Sequence, residues 1–154
     1  MTDGTETMTK SAALLTREEI TPFVAEWYRN LDVHVPVDTV AAMVTDDVEF
    51  QLPEGPVVGV DAFREWYEGV IRIFFDEVHT VTRVAVSWND QRALVKVTIN
   101  WQARRWNPPA ARSQWIGFDI NQDWDVLRSA ATGGPLIARY VVNEVRPMAG
   151  SPPL

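Results

Sequence analysis

Two histidines, His34 and His79, limit where imidazole acid–base chemistry can occur in this chain of 154 residues. Asp32 ends the first predicted helix, where the negative end of the helix dipole disfavours a carboxylate, so a compensating partner is expected. A carboxylate that accepts the Nδ1–H of an imidazole fixes the tautomer and prepares the other ring nitrogen as a base. The sequence therefore predicts a pair between Asp32 and His79, whereas His34, in a loop, is expected to be solvated.

Gln122 is a further polar candidate, because it stands in an otherwise apolar stripe of a predicted strand. Such a side chain must find a hydrogen-bond partner in the core or line a cavity that holds one. The alternation of the strand places Asp119, Asp123 and Asp125 on the opposite face, where they are expected to be solvated. Acids on that face cannot act on a substrate held inside.

Composition and motifs exclude several kinds of chemistry. The chain has no cysteine, so disulfides, thiol nucleophiles and Cys-based zinc sites are excluded. It shows no HxH or HExxH motif and no glycine-rich phosphate loop, so we expect neither a metal nor a cofactor. A formal charge of −7 repels nucleic acid and anionic membranes, and neither is expected as a partner. The first eleven residues lack the apolar run of a secretion signal, which predicts a cytoplasmic protein.

Three helices are predicted in the first half of the chain. Thr16 and Glu19 have the spacing of a capping box, and Thr21-Pro22 offers an alternative start for the first helix. Asp38 is a predicted cap for a short second helix, and Asp61 for a third. The apolar stripe of the first helix is Ile20, Phe23, Val24, Trp27 and Leu31. That of the third helix is Phe63, Trp66, Tyr67, Val70, Ile71 and Phe74.

Strands dominate the remainder. A turn at Thr45-Asp-Asp precedes a half-buried strand through Phe50 and Leu52, and longer strands are predicted over 79–88, 91–104, 112–127 and 135–146. This pattern predicts an α+β fold in which three N-terminal helices pack in a curved antiparallel or mixed sheet, forming a cone with an apolar interior. Residues 1–15 are expected to be a flexible segment, 16–146 the domain and 147–154 a C-terminal tail.

Aromatic residues are expected to fill that interior. Many inward-facing rings, Trp115 among them, suit a flat or polycyclic hydrophobic ligand, although rings in such positions also serve simply as core. The predicted substrate-binding residues are Trp27, Phe50, Leu52, Trp66, Trp101, Gln122 and Trp124.

Several segments together resemble the SnoaL-like branch of the nuclear-transport-factor-2-like superfamily over residues 16–146. They are WYRNLD from Trp27, DDVEF from Asp46, PEG from Pro53, GVDAFREWY from Gly59, HTV from His79 and QDW from Gln122. Dehydratase-like and dehydrochlorinase-like members use an Asp at the end of the first helix and a His on the strand after the third helix. The resemblance implies that His79 removes a substrate proton while Asp32 orients it. We expect Tyr28 or Gln122 to bind the oxygen where charge develops.

The resemblance therefore implies a cofactor-independent lyase or isomerase of dehydratase type, acting on a hydrophobic, possibly polycyclic small molecule. It also implies a homodimer through the exposed side of the sheet. The alternatives are a non-catalytic binding or accessory subunit, an epoxide hydrolase and a polyketide cyclase. Ketosteroid-isomerase-like members need acids where this chain has Leu52 and Gln122. Epoxide-hydrolase-like members need an Asp-Arg-Asp set inside the cone, for which Arg83 and Arg139 are the available arginines.

Overall fold

The computed structural model describes residues 13–154, so most of the predicted N-terminal segment lies outside the described residues. The helices in this part of the chain are α1 (Arg17–Asp32), α2 (Val37–Ala41) and α3 (Val60–Ile73). The strands are β1 (Val44–Leu52), β2 (Gly55–Val58), β3 (Phe74–Asn89), β4 (Arg92–Arg105), β5 (Gln114–Arg128) and β6 (Pro135–Pro147). No helix within residues 13–154 has the length and hydropathy needed to cross a membrane.

The strands form one mixed sheet in the order β2-β1-β6-β5-β4-β3. Only the β1–β6 pair among the described strands is parallel, and the other neighbours are antiparallel. The α+β prediction is confirmed, whereas the arrangement of three N-terminal helices is not: two described helices precede the sheet and α3 follows the β1–β2 hairpin. Strand β2 was not predicted, because the segment from Pro53 to Pro56 suggests only the end of a strand, yet Gly55 pairs with Leu52 across a tight turn.

The start of α1 is fixed by the capping box predicted at Thr16. The Glu19 backbone N–H donates to Thr16 Oγ1 at 3.2 Å, and the Thr16 backbone N–H donates to Glu19 Oε1 at 3.1 Å. The alternative start at Thr21-Pro22 is wrong, because the helix begins at Arg17, where the capping box already satisfies backbone N–H groups of the first turn. The predicted stripe faces the core, with Ile20, Phe23, Val24 and Trp27 buried.

Other predicted boundaries are corrected by tertiary contacts. Asp38 and Asp61 do not cap their helices, which follow Pro36 and Gly59 instead. Asp38 accepts a hydrogen bond from Arg64 of α3 at 2.6 Å. Gly59 has a φ of 87°, which favours glycine, and its N–H donates to a β1 carbonyl. The predicted turn at residues 45–47 lies within β1, and Phe74 begins β3 instead of extending the helix.

A bulge in β3 decides which side chains face the interior near the end of α3. Asp76 and Glu77 together oppose the single residue Ala103 of β4, and Asp76 has a φ of 49°. Because a bulge inserts one residue, it reverses the alternation of side chains along the strand. As a result, Phe74, Glu77 and His79 all line the same cavity.

The C-terminal segment predicted to be a tail lies against β4 and β5. The Met148 N–H donates to the Gly117 carbonyl, and the Gly117 N–H donates to Ser151 Oγ at 3.0 Å. A Cβ on Gly117 would lie 2.7 Å from both Met148 Sδ and the Trp115 ring, so glycine permits this approach. The chain then reaches the cavity described below, whose lining includes Leu154.

An ion pair ties the start of α1 to the end of β5. Arg128 donates to both carboxylate oxygens of Glu19, at 2.8 and 3.0 Å. These hydrogen bonds, opposed in part by burial, lower the pKa of Glu19 from 4.5 to about 2.

We expect Glu19→Gln to lower the free energy of unfolding at pH 7 by about 1 kcal/mol or less, because glutamine retains the capping-box acceptor but loses the charge and one of the two hydrogen bonds from Arg128. A depressed carboxyl pKa stabilises the fold above pH 4.5, and this contribution disappears as the pH falls through about 2. Urea unfolding followed by tryptophan fluorescence should therefore show the two proteins converging at acidic pH. A difference that stays constant from pH 7 to pH 2 would contradict this assignment.

Candidate active site

Asp32 and His79 meet where the last turn of α1 crosses β3. His79 Nδ1 lies 2.5 Å from Asp32 Oδ1, and the His79 backbone N–H donates to both carboxylate oxygens at 3.1 Å. The His79 side chain is 8% exposed and that of Asp32 is 21% exposed. Because Nδ1 faces the carboxylate, Nε2 is the ring nitrogen left to meet a ligand in the cavity that His79 lines.

Two aromatic rings hold the plane of the His79 imidazole. Its centroid lies 4.9 Å from that of Tyr28 and 5.6 Å from that of Trp101, with interplanar angles of 29° and 12°. The imidazole is thus stacked on a ring of α1 and on a ring of β4, while Asp32 sets its rotation within the plane. A base with so little freedom loses little entropy when it reaches the transition state.

Gln122 both finds partners in the core and lines the cavity. Its Oε1 accepts hydrogen bonds from the Tyr28 hydroxyl at 2.5 Å and from Trp124 Nε1 at 2.9 Å. The Tyr28 and Tyr140 oxygens lie 3.1 Å apart, and since Tyr28 donates to Gln122, Tyr140 is the donor of that contact. With Oε1 occupied by two donors, the Gln122 amide group is the part that can donate to a ligand.

Burial keeps both phenols of this network protonated. It raises the pKa of Tyr28 well above its usual value, and it raises the pKa of Tyr140 to about 12.

Tyr28 does not line the cavity, so its predicted direct contact with substrate is not what the structure shows. Tyr140 lines the cavity instead, a residue that sequence analysis missed. A one-residue shift in the β5–β6 register at Ala138 reverses the alternation there, and this shift leaves no mark in the sequence.

The cavity has a volume of about 470 Å³ and lies between the helices and the sheet. Of the predicted substrate-binding residues, Leu52, Trp66, Trp101 and Gln122 line it. The other three, Trp27, Phe50 and Trp124, are corrected to core positions behind the cavity wall. Trp27 is the centre of that core, with four aromatic rings at centroid distances of 6.0 to 6.2 Å. A ring packed on several sides has no face left for a ligand.

A second histidine–carboxylate pair lies at the same cavity, and sequence analysis missed it. His34 Nε2 lies 2.5 Å from Glu77 Oε2, and Trp101 Nε1 donates to Glu77 Oε1 at 3.1 Å. The expectation that His34 is solvated is wrong, since its side chain is 25% exposed and faces a carboxylate that is 9% exposed. The bulge that turns Glu77 inward cannot be recognised before the pairing of β3 with β4 is known.

The two arginines considered for an epoxide-hydrolase-like site lie outside the cavity. Neither Arg83 nor Arg139 lines the cavity. The three aspartates of β5 contact polar or basic residues on the other face of the sheet, as their alternation predicts. Asp119, Asp123 and Asp125 accept hydrogen bonds from Asn100, Lys96 and Arg92, respectively. Within residues 13–154, no three His, Asp or Glu side chains converge in the manner of a metal site.

The fold agrees with the comparison to known proteins. Residues 12–139 match the SnoaL-like domain, and the chain therefore belongs to this family of the nuclear-transport-factor-2-like superfamily. This confirms the resemblance noted in the sequence. No curated protein matches the chain.

Several solved structures share the fold at low sequence identity. A type 2 hexachlorocyclohexane dehydrochlorinase is 15% identical with a TM-score of 0.70, covering 89% of this chain and 93% of its own. A scytalone dehydratase candidate from Novosphingobium aromaticivorans is 16% identical with a TM-score of 0.70, covering 99% of this chain and 100% of its own. A ketosteroid isomerase-like protein from Erwinia carotovora is 20% identical with a TM-score of 0.65, covering 83% and 96%.

The tautomer of His79 is directly measurable. We expect nitrogen-15 spectra of the histidine rings at neutral pH to show His79 protonated at Nδ1, with a strongly downfield Nδ1 proton, because the Nδ1–Asp32 distance is 2.5 Å. Asp32→Asn should remove that downfield proton, whereas Asp119→Asn on the outer face should not. The same downfield signal in Asp32→Asn would contradict the assigned contact.

Proposed function

We propose that this protein is a cofactor-independent lyase or isomerase in which His79 Nε2 removes an acidic C–H proton from a hydrophobic small molecule. The observation that carries the proposal is the 2.5 Å contact between His79 and Asp32 at the cavity wall. Asp32 holds the imidazole in the tautomer that accepts at Nε2 and stabilises the imidazolium that forms. General-base catalysis of this kind contributes about 10²–10⁴-fold to a rate.

The remaining acceleration comes from the group that stabilises the developing negative charge. If the substrate carries a carbonyl next to the acidic C–H, charge accumulates on its oxygen as the proton leaves. The Gln122 amide nitrogen donates to that oxygen in this mechanism, because its Oε1 already accepts from Tyr28 and Trp124. Tyr28 therefore acts as a positioning residue, and Tyr140 holds Tyr28 in turn.

The cavity supports a substrate with fused rings. Its volume of about 470 Å³ falls in the range of small-molecule pockets, and flat aromatic walls are supplied by Trp66, Phe74 and Trp101. The proteins with similar structures include a dehydrochlorinase, a dehydratase candidate and an isomerase-like protein. Elimination and isomerisation share removal of a C–H proton, which is the step assigned to His79.

Hydrogen exchange tests this step without knowledge of the natural substrate. The probe is 2-tetralone, a bicyclic ketone with acidic C–H groups beside its carbonyl, followed by proton NMR in D₂O. We expect the protein to accelerate exchange above the buffer rate. His79→Gln should lower the protein-dependent rate by about 10²–10⁴-fold, because the general base is lost.

The matched control places glutamine at the neighbouring residue on the exposed side of β3, as Thr80→Gln. This variant should exchange the probe at the wild-type rate, and circular dichroism should show all three proteins folded. A His79→Gln protein that is folded and exchanges 2-tetralone as fast as wild type would exclude His79 as the base and leave a binding or accessory role.

A further inference from the structure

Glu77 is a carboxylate of the cavity wall that proton abstraction by His79 does not use. It is 9% exposed, lines the cavity, and lies two residues before His79 on the same strand. Burying a carboxylate in an apolar wall is costly unless donors surround it. Two donors are present, Trp101 Nε1 on one oxygen and the His34 ring on the other.

Two residues next to the Glu77 side chain, Asp76 and His34, have an unusual backbone conformation. Asp76, just before Glu77, has a φ of 49°, and His34 has a φ of 55°, both in the left-handed region that side chains rarely adopt. The bulge at Asp76 and Glu77 is what turns this carboxylate towards the cavity. Strain of this kind persists where the surrounding contacts over-determine it. Glu77 contacts one of these residues, His34, directly and follows the other, Asp76, in the chain.

The Glu77 carboxylate can accept more hydrogen bonds than its two protein donors provide. A carboxylate has about four lone-pair positions, and Trp101 and His34 occupy one each. The Gln122 Oε1 atom, by contrast, already accepts from two donors. Glu77 also shapes its surroundings electrostatically: burial first, and then the charge of Glu77, raise the pKa of Tyr67 on the same cavity.

We propose that Glu77, held by His34 and Trp101, selects ligands that carry a hydroxyl group, by accepting the hydroxyl hydrogen bond inside the cavity. The inference rests on the proposed function in that it names the substrate class of the same pocket: hydroxylated bicyclic or polycyclic compounds. A hydrogen bond to a charged acceptor is worth about tenfold or more in affinity, so the preference is measurable.

Two probes of nearly equal shape isolate the hydroxyl hydrogen. They are 2-naphthol and 2-methoxynaphthalene, which share the ring system and the oxygen but differ in the donor. Isothermal titration calorimetry at neutral pH should give a Kd for 2-naphthol at least about tenfold lower than that for the methyl ether. Glu77→Met, of similar length and without an acceptor oxygen, should remove the preference.

Two further variants keep the test decisive. Glu77→Gln retains a neutral carbonyl and should keep a reduced preference, which covers the case in which Glu77→Met fails to fold. Glu144→Met, at an exposed carboxylate paired with Arg146 outside the cavity, should keep the full wild-type preference. Equal binding of the two probes by wild type, binding of neither, or a preference unchanged in both Glu77 variants would overturn the proposal.

The failure of this inference is distinguishable from failure of the proposed function. His79 Nε2 is another acceptor of the same cavity. A preference lost in His79→Gln and kept in Glu77→Met would therefore assign the hydroxyl to His79 and contradict the role of Glu77. Conversely, a hydroxyl preference that depends on Glu77 stands even if 2-tetralone exchange proves independent of His79, because binding is measured without turnover.

Discussion

The carboxylate of Asp32 is the constraint on which the site depends. It stands at the C-terminal end of α1, where the helix dipole disfavours negative charge, and it is stabilised there by the backbone and ring N–H groups of His79. One side chain thus fixes the approach of α1 to β3 and sets the tautomer of the imidazole. Because the backbone N–H contributes, the strand itself is positioned by the same carboxylate.

The aromatic core gives this pair a rigid support and a boundary. Trp27 packs against rings from β1, α3, β5 and β6, so α1 is held on the sheet by a cluster that leaves no space for a ligand. The cavity begins beyond it, where Gln122 and Tyr140 connect core and ligand space. Two polar groupings adjoin it, one of His79 with Gln122 and one of Glu77 with His34, and Trp101 contacts both His79 and Glu77.

How far the sequence predicts this arrangement depends on the residue. The contact of Asp32 with His79 was predictable, because an acid at a helix end needs a partner and few imidazoles are available; their catalytic roles stay predictions. The inward position of Gln122 follows from strict alternation along β5. The inward positions of Glu77 and Tyr140 could not be predicted in this way, because each lies at or near a bulge that reverses the alternation. A bulge is recognised only when the pairing of the strands is known. The caps at Asp38 and Asp61 failed because each helix starts after a residue, Pro36 or Gly59, whose backbone already sets the entry.

A double-mutant cycle on the protein-dependent exchange rate of 2-tetralone tests the central claim most directly. If Asp32 acts only through His79, Asp32→Asn lowers the rate in the wild-type background and changes it little in the His79→Gln background. The account predicts this strong non-additivity, with the double variant close to His79→Gln alone. Independent losses that multiply in the double variant would contradict it, because Asp32 and His79 would then not act as one unit.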